Sequence, residues 1–265
     1  MTDFVGWLPM PDGGGGEAAL AADYNTEIVE QIARYPRLRD RSIFVGNPDD
    51  IVPLPLGPGL PAIREWTEAH YEFSGYVTGF DPRSVDREHL RRHHGLRDDE
   101  RVCLVTVGGS GVGLQLLHKV MDAFPAAQLL LPDLRMIVVA GPRIDPRSLH
   151  QHEGVEVLGH VDGLYRLMAA CDVAIVQGGL STTMELTALR IPFLYFPIGH
   201  HFEQNFHVRH RLDRYGAGHC MDYASADPDT IATALADVLA RPVQYRAVES
   251  DGAHRAARLI GELLT

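Results

Sequence analysis

The three cysteines, Cys103, Cys171 and Cys220, are too few, odd in number and too widely spaced to form a disulfide framework. Cys103 and Cys171 stand in or beside apolar runs, so both are expected to be buried thiols of a reducing compartment. Long hydrophobic runs are also missing. None approaches the length of a membrane span, and no signal-peptide pattern opens the chain, which predicts a cytoplasmic location. Positive charge is short as well: 24 Lys and Arg stand against 35 Asp and Glu, a formal net charge of -11. So acidic a surface repels polyanions, and nucleic acid is not an expected partner. A single nucleotide is a different case, because backbone N–H groups and helix N-termini can hold it without basic side chains. Internal repeats are absent too.

Apolar side chains make up 45% of the 265 residues and charged ones 22%, enough for a folded core. That length suits one large domain, or one domain and part of another. The first eighty residues show little sustained periodicity. Residues 13–16 are four glycines and read as a flexible tract. Residues 47–61 are punctuated by Pro48, Pro53, Pro55, Pro58 and Pro61, which rules out regular structure there. Residues 18–35 are expected to be helical and residues 42–45 a short strand. Too few paired elements remain to close a separate core, so residues 1–80 are read as the closing part and linker of a larger domain.

From Arg101 the rhythm becomes strand, loop and helix in repetition. Residues 102–107 (VCLVTV), 136–140 (MIVVA), 155–158, 173–176 and 193–196 are short apolar runs separated by helix-compatible stretches. Leu114, Leu117, Met121 and Phe124 recur at helical spacing after the first run. Asp227 before Pro228 supplies an N-cap carboxylate and a first-turn proline, with Ile231, Leu235, Val238 and Leu239 on one face. Near-continuous apolar strands alternating with helices specify a parallel sheet covered on both faces. The predicted fold is α/β, a doubly wound parallel sheet over residues 81–265 preceded by a partial domain. Ligands of such sheets bind beyond the carboxyl ends of the strands, which directs attention to the residues after each strand.

Gly108-Gly109-Ser110-Gly111-Val112-Gly113 follows the first strand and opens a helix. Its glycines let a phosphate approach the backbone, and the helix dipole favours negative charge. No lysine follows Gly113, so this is not a Walker loop, and the spacing fails the dinucleotide fingerprint. A tight structural turn is the alternative. The run from Gln177 to Glu185 follows another buried strand. There Gly178 and Gly179 allow close backbone approach, and Ser181 or Thr182 can cap the helix and reach a phosphate oxygen. Glu185, one turn on, can accept both hydroxyls of a ribose, or close a capping box. Glu203, Gln204 and Asn205 follow the next strand as a helix begins, and suit either sugar hydroxyls or capping and solvation. His200, His201, His207 and His210 match no zinc spacing, so no metal site is expected.

Taken in this order, the three loops resemble the C-terminal half of GT-B glycosyltransferases. They most resemble family 28, the group that includes the bacterial enzyme adding N-acetylglucosamine to lipid I. The stretch GGLSTTMELTALRIPFLYFPIGHHFEQN is also similar to the signature of UDP-glucuronosyl and plant UDP-glycosyltransferases. The likeness spans about residues 100–222. It implies a nucleotide-sugar donor with Gly109, Ser110 and Gly111 along the diphosphate and Gly159, His160 and Val161 at the uracil. Gly178, Gly179, Ser181 and Thr182 would meet the phosphates and Glu185 the ribose. Glu203 and Gln204, with Asn205 beside them, would hold the donor sugar, and His200 would stand near the donor. The chain departs from the pattern at Gln177, where many relatives have histidine, and at Arg190, where glycine is usual.

The function this implies is transfer of a hexosyl group, such as N-acetylglucosamine, from a UDP-sugar to an acceptor hydroxyl with inversion. Neither cofactor nor metal is expected, since amides and helix N-termini can stabilise the leaving diphosphate. The resemblance puts the acceptor site and the general base on an N-terminal domain, of which residues 1–80 are expected to be a remnant. No catalytic residue is therefore assigned, the acceptor is left open, and a partner chain resembling that domain, or a longer version of the protein, is expected to be needed for turnover. Two alternatives stay open: a UDP-sugar epimerase of the same fold, which needs no acceptor, and a non-catalytic nucleotide-sugar-binding subunit.

Overall fold

The structure is a computed structural model that describes residues 1–109, 111–150 and 152–264. In chain order its elements are α1 (Gly14–Arg34), β1 (Ile43–Val45), α2 (Ile63–His70), β2 (Glu72–Gly75), α3 (Arg87–His93) and β3 (Arg101–Thr106). Then come α4 (Leu114–Asp122), α5 (Phe124–Leu130), β4 (Leu134–Val139), β5 (Val155–Leu158), α6 (Leu164–Ala170) and β6 (Val173–Gln177). The chain ends through α7 (Leu180–Leu189), β7 (Phe193–Phe196), α8 (Arg209–Tyr215), β8 (His219–Cys220), α9 (Pro228–Ala240) and α10 (Gly252–Gly261). Two compact units result. The first holds Met1–Asp81, Gly199–Arg214 and Val248–Thr265; the second holds Pro82–Ile198 and Tyr215–Ala247. Among the described residues no helix is long and apolar enough to cross a membrane.

The second unit is built on a six-stranded, wholly parallel sheet in the order β5-β4-β3-β6-β7-β8. Its strands alternate faces with period two. Cys103 and Val105 of β3, Met136 and Val138 of β4, and Val173 and Ile175 of β6 pack with residues of α4, α5 and α9. The residues between them, Val102, Leu104, Ile137, Ala174 and Val176, are equally buried. Burial on both faces is why these strands read as unbroken apolar runs. α9 opens with a reciprocal cap, Asp227 Oδ1 accepting from the Thr230 N–H and the Asp227 N–H donating to the Thr230 hydroxyl, both at 2.8 Å. At the amino ends of β3 and β6, the buried Arg91 donates to Asp172 and to the Ala170 carbonyl, each at 3.0 Å. Asp172 also accepts the Val102 N–H at 2.8 Å, so one ion pair fixes where both central strands start. Cys103 and Cys171 are buried, and burial pushes the Cys171 thiol up to about 12.

In the first unit, residues 1–80 contribute a buried core that segments from further along the chain help to close. Val5, Leu8, Phe44, Ile51, Val52, Leu56, Ile63 and Trp66 form a buried cluster, with Phe206 packed against it. β1 and β2 pair in parallel with Ile43 opposite Glu72. The sequence reading assigned everything beyond residue 80 to one domain, whereas residues 199–214 and 248–265 pack with the first eighty. Part of the cover for this core comes from far along the chain, which no local periodicity reveals. The glycine tract is not loose either: Gly14 to Gly16 form the first turn of α1, and the Glu17 carboxylate accepts the Met10 N–H at 2.8 Å just before it. α10 starts at Gly252, where a methyl would lie 2.1 Å from the Tyr76 carbonyl oxygen.

Candidate functional site

β3 and β6 lie side by side with Thr106 opposite Val176. From this pair the chain winds outwards both ways, through β4 to β5 on one side and through β7 to β8 on the other. The turns leaving β3 and β6 diverge, and such a switch point opens a crevice at the carboxyl edge of the sheet. Backbone hydrogen bonds extend that edge. The Gly141 N–H, after β4, donates to the Gly159 carbonyl, after β5, at 3.1 Å. The Gly178 N–H, after β6, donates to the Phe196 carbonyl of β7 at 3.2 Å. Four adjacent strand ends thus each lead into a turn that carries glycine.

In the turn after β3, Gly108 and Gly111 have φ of +73° and +79°, values that glycine takes without steric cost. Gly109 has room around it, the nearest atom to an added Cβ being Pro142 Cγ at 3.9 Å. Ser110, expected along a diphosphate, lies outside the described residues. Gly113 precedes α4 and is pressed against Val107, whose Cβ would lie 2.2 Å from a methyl at this position. After β6, Gly179 is itself the N-cap of α7, so Ser181 and Thr182 are the second and third helical residues. That corrects the expectation that either one caps the helix, or that Glu185 closes a capping box. Among the described residues no side chain caps α4 or α7, which leaves first-turn N–H groups for a ligand.

Ser181 is exposed and Thr182 half-buried, while the buried Thr183 turns its hydroxyl back to the Gly179 carbonyl at 3.0 Å. Glu185, one turn further, is half-buried, and burial pushes its carboxyl above the ordinary glutamate value. A desolvated acid one turn into a helix that starts at a strand end is the kind of group found at functional sites. After β5, Gly159 leads to the exposed His160, whose Nε2 lies 3.1 Å from Asp162 Oδ1, and to the half-buried Val161.

The residues from Gly199 to Arg214 belong to the first unit. His200 takes a left-handed φ of +46°, and its Nε2 lies 3.4 Å from Asp12 Oδ2. Backbone strain at a non-glycine residue is frequent at ligand sites. Glu203–Val208 is a π-helix that runs into α8, where an α-helix was expected. Tertiary contacts hold this widened turn: the buried His207 donates from Nε2 to the Gly6 carbonyl at 3.2 Å, and Phe202 stacks on Trp7 at 4.6 Å. Burial pushes the His207 imidazole down to about 4, so the ring is neutral at pH 7. Glu203 is half-buried, its carboxyl raised by burial and then by the charge of Asp3. Gln204 is buried, and the Asn205 amide donates to the His201 carbonyl at 3.0 Å. Among the described residues no group of His, Cys, Asp and Glu is arranged to hold a metal.

Residues 102–263 match the model of the glycosyltransferase family 28 C-terminal domain. The chain belongs to glycosyltransferase family 28. Over 190 residues it is 31% identical to an uncharacterised glycosyltransferase of Methanopyrus kandleri, covering 67% of this chain and 50% of that protein. Over 184 residues it is 32% identical to the UDP-N-acetylglucosamine--N-acetylmuramyl-(pentapeptide) pyrophosphoryl-undecaprenol N-acetylglucosamine transferase of Mycobacterium avium, covering 67% of this chain and 43% of that one. The chain spans about half the length of the curated relatives it matches. Among solved structures it is similar to the glycosyltransferase of kitacinnamycin, at TM-score 0.56 and 18% identity over 97% of this chain and 64% of that one. The spinosyn rhamnosyltransferase gives TM-score 0.55 and 19% identity over 97% and 61%. These neighbours are GT-B glycosyltransferases, and at such identities they speak to the fold alone.

Of the residues singled out in the sequence, Gly109, Gly111, Gly159, His160, Val161, Gly178, Gly179, Ser181, Thr182 and Glu185 stand along the carboxyl edge of the family 28 sheet. His200, Glu203, Gln204 and Asn205 belong to the first unit, within the span that the family 28 model matches. Two residues escaped the sequence reading. Gly141 abuts the turn after β3, and a glycine directly following an apolar strand was the available signal. His207 anchors the π-helix and carried no signal beyond its place among histidines.

Proposed function

We propose that this chain is the donor-binding half of an inverting hexosyltransferase whose donor is a UDP-sugar, UDP-N-acetylglucosamine first among them. One observation carries the reading: glycine-bearing turns at four adjacent strand ends flank a switch point where two helices start without side-chain caps among the described residues. In this reading the diphosphate lies against the turns after β3 and β6, where free N–H groups and the dipoles of α4 and α7 meet its charge. Ser181 and Thr182 add hydroxyl donors, Glu185 accepts the ribose hydroxyls, and the backbone of residues 159–161 receives the uracil. Glu203, Gln204, Asn205 and His200 serve the donor sugar.

As the bond from the sugar to the diphosphate breaks, charge grows on the leaving oxygen. Amides fixed in advance stabilise that charge more in the transition state than in the ground state, so the reading requires no metal. The acceptor hydroxyl loses its proton to a base on the opposite face of the sugar. We assign that base to a domain resembling the N-terminal half of these enzymes, carried by a partner chain or by a longer form of this one. The Mycobacterium avium relative is named as a transferase of UDP-N-acetylglucosamine, which supports the choice of donor.

Calorimetric titration with UDP, dTDP and GDP tests the proposal. UDP is expected to bind in preference, and Glu185→Ala to weaken it by about 1.5–3 kcal/mol through loss of charge-assisted hydrogen bonds. Equal affinity for all three nucleotides would remove the uracil assignment. A folded chain that binds none of them would remove the donor reading itself.

A further inference from the structure

Trp7 is 43% exposed and Tyr24 45%, whereas the chain's other tryptophan, Trp66, is 5% exposed. Exposure alone does not single this pair out, since the chain exposes other large apolar side chains; the way it is held does. Trp7 is not loosely placed. Its ring stacks on Phe202 with centroids 4.6 Å apart and planes 29° from parallel, and it meets Tyr24 edge-on at 5.0 Å. Phe202 is supported from beneath by Phe4, edge-on at 5.5 Å.

The backbone of Trp7 is clamped as well. Asn25, a residue of α1 with no exposed surface, accepts the Trp7 N–H at 2.9 Å and donates to the Trp7 carbonyl at 2.8 Å. Its remaining amide hydrogen goes to the Leu56 carbonyl at 2.6 Å. A buried amide therefore directs two of its three hydrogen bonds at one half-exposed residue. A side chain that only fills a core would be covered. One held rigid with a face open is pre-organised, and binding to it loses little conformational entropy.

We propose that Trp7, backed by Phe202 and bordered by Tyr24, is a stacking shelf for a flat ring of the acceptor. This rests on the glycosyl-transfer reading above, because Phe202 directly precedes Glu203 and Gln204, the pair that reading gives to the donor sugar. His200 and Asp12, paired at 3.4 Å, flank the same segments and offer polar partners for hydroxyls on such a ring. Two open aromatic rings suit a single ring-sized group; a protein surface would need a far larger patch. The ring is an aromatic aglycone or the apolar face of a sugar, and both present the flat surface that an indole stacks against.

Because Trp66 is buried, the emission of Trp7 reports the shelf. The chain is titrated with phenyl β-D-glucopyranoside and with methyl β-D-glucopyranoside, and UDP binding is followed calorimetrically in parallel. Saturable quenching by the phenyl glucoside alone assigns the shelf to an aromatic ring, and by both to a sugar face. Calorimetry on variants then shows Trp7→Phe within about threefold of wild type and Trp7→Ala weaker for the glucoside by about tenfold, with UDP affinity unchanged. Tyr24→Ala, expected to weaken the glucoside about threefold, carries the test if Trp7→Ala does not fold. Quenching by neither glucoside, or unaltered glucoside affinity in the folded variants, overturns the shelf. A wild-type chain that binds the phenyl glucoside but not UDP leaves the shelf standing and removes the donor reading.

Discussion

Gly141 and Gly108 meet so closely that a methyl on Gly141 would lie 2.5 Å from the Gly108 carbonyl oxygen. Both residues have left-handed φ, +80° and +73°. β3 and β4 finish level, with Thr106 opposite Val139, so the turns that follow them are pressed together as soon as they leave the sheet. Gly141→Ala places a Cβ against a backbone atom that cannot rotate away, in a conformation that costs an alanine roughly 1–2 kcal/mol by itself. The expected loss in urea unfolding is about 2–4 kcal/mol, with weaker UDP binding because the turn after β3 must shift. Gly159→Ala is the contrast. Its Cβ would meet Pro146 Cγ at 3.4 Å, an ordinary contact, and the midpoint should move by less than about 1 kcal/mol. Equal midpoints for the two variants would mean that the contact does not shape the edge.

Glu185 predicts a pH dependence with two opposite signs. Burial raises its carboxyl above the ordinary value of 4.5, so the folded chain holds this proton more tightly than the unfolded chain. The unliganded protein therefore loses stability as pH rises from 4.5 through the raised value. Glu185→Gln should abolish that slope and leave the unliganded chain slightly more stable at pH 7. Nucleotide binding runs the other way, since ribose hydroxyls need a carboxylate to accept them. UDP affinity should fall on acidification at a higher pH than an ordinary glutamate would produce, and not at all in the Gln variant. Parallel affinity profiles for the two proteins would take Glu185 out of the ribose site.

Arg190 follows α7 at φ +58°, a left-handed conformation that glycine takes without steric cost. Its guanidinium donates to the Val243 carbonyl at 2.9 Å and to the Tyr245 carbonyl at 3.0 Å, so the strained residue ties down the segment after α9. Arg190→Gly removes the strain, worth roughly 1 kcal/mol, together with the two hydrogen bonds, and should come out near neutral. Arg190→Ala keeps the strain and loses the bonds, and should be less stable by about 1–2 kcal/mol. Urea midpoints for the two variants check the order, and a more stable Ala variant would contradict it.

The same residue shows where sequence reasoning stops. β3, β4, β6 and β7 are legible because burial on both faces demands near-unbroken apolar runs, and the turns after β3 and β6 are legible because their glycines sit where the sheet ends. The start of α10 is not. Residues 243–246, which lead towards it, are held by partners distant in sequence: Arg190 claims two of their carbonyls, and the Arg246 N–H donates to the Tyr215 carbonyl at 2.9 Å. The core under Trp66 is hidden for a related reason, since Phe206 packs against it from 140 positions further on. The widening at Glu203–Val208 is hidden too, because an α-helix and a π-helix can share one sequence and the choice here falls to His207 and Phe202 reaching Gly6 and Trp7. Local pattern carries what neighbours in sequence decide, and these features are decided at long range.

His207 makes that long-range anchor sensitive to acid. Its imidazole is held at about 4 against an ordinary 6.5, first by burial, with the charges of Arg211 and His210 adding to the effect. Between those values the unfolded chain binds a proton that the folded chain refuses, so stability rises with pH through this window and is lost as pH falls towards 4. Fully realised, the effect is on the order of 3 kcal/mol. Glu203 opposes it, because a carboxyl raised by burial favours the fold at low pH. His207→Gln isolates the histidine: its amide can still donate to the Gly6 carbonyl, but it does not titrate. Thermal unfolding of the variant should be flatter than wild type between pH 4 and 6.5, and Trp7 emission should hold steady where the wild-type signal changes. Unfolding curves that stay parallel across this range would show that the Gly6 contact survives protonation, and the π-helix would then need another anchor.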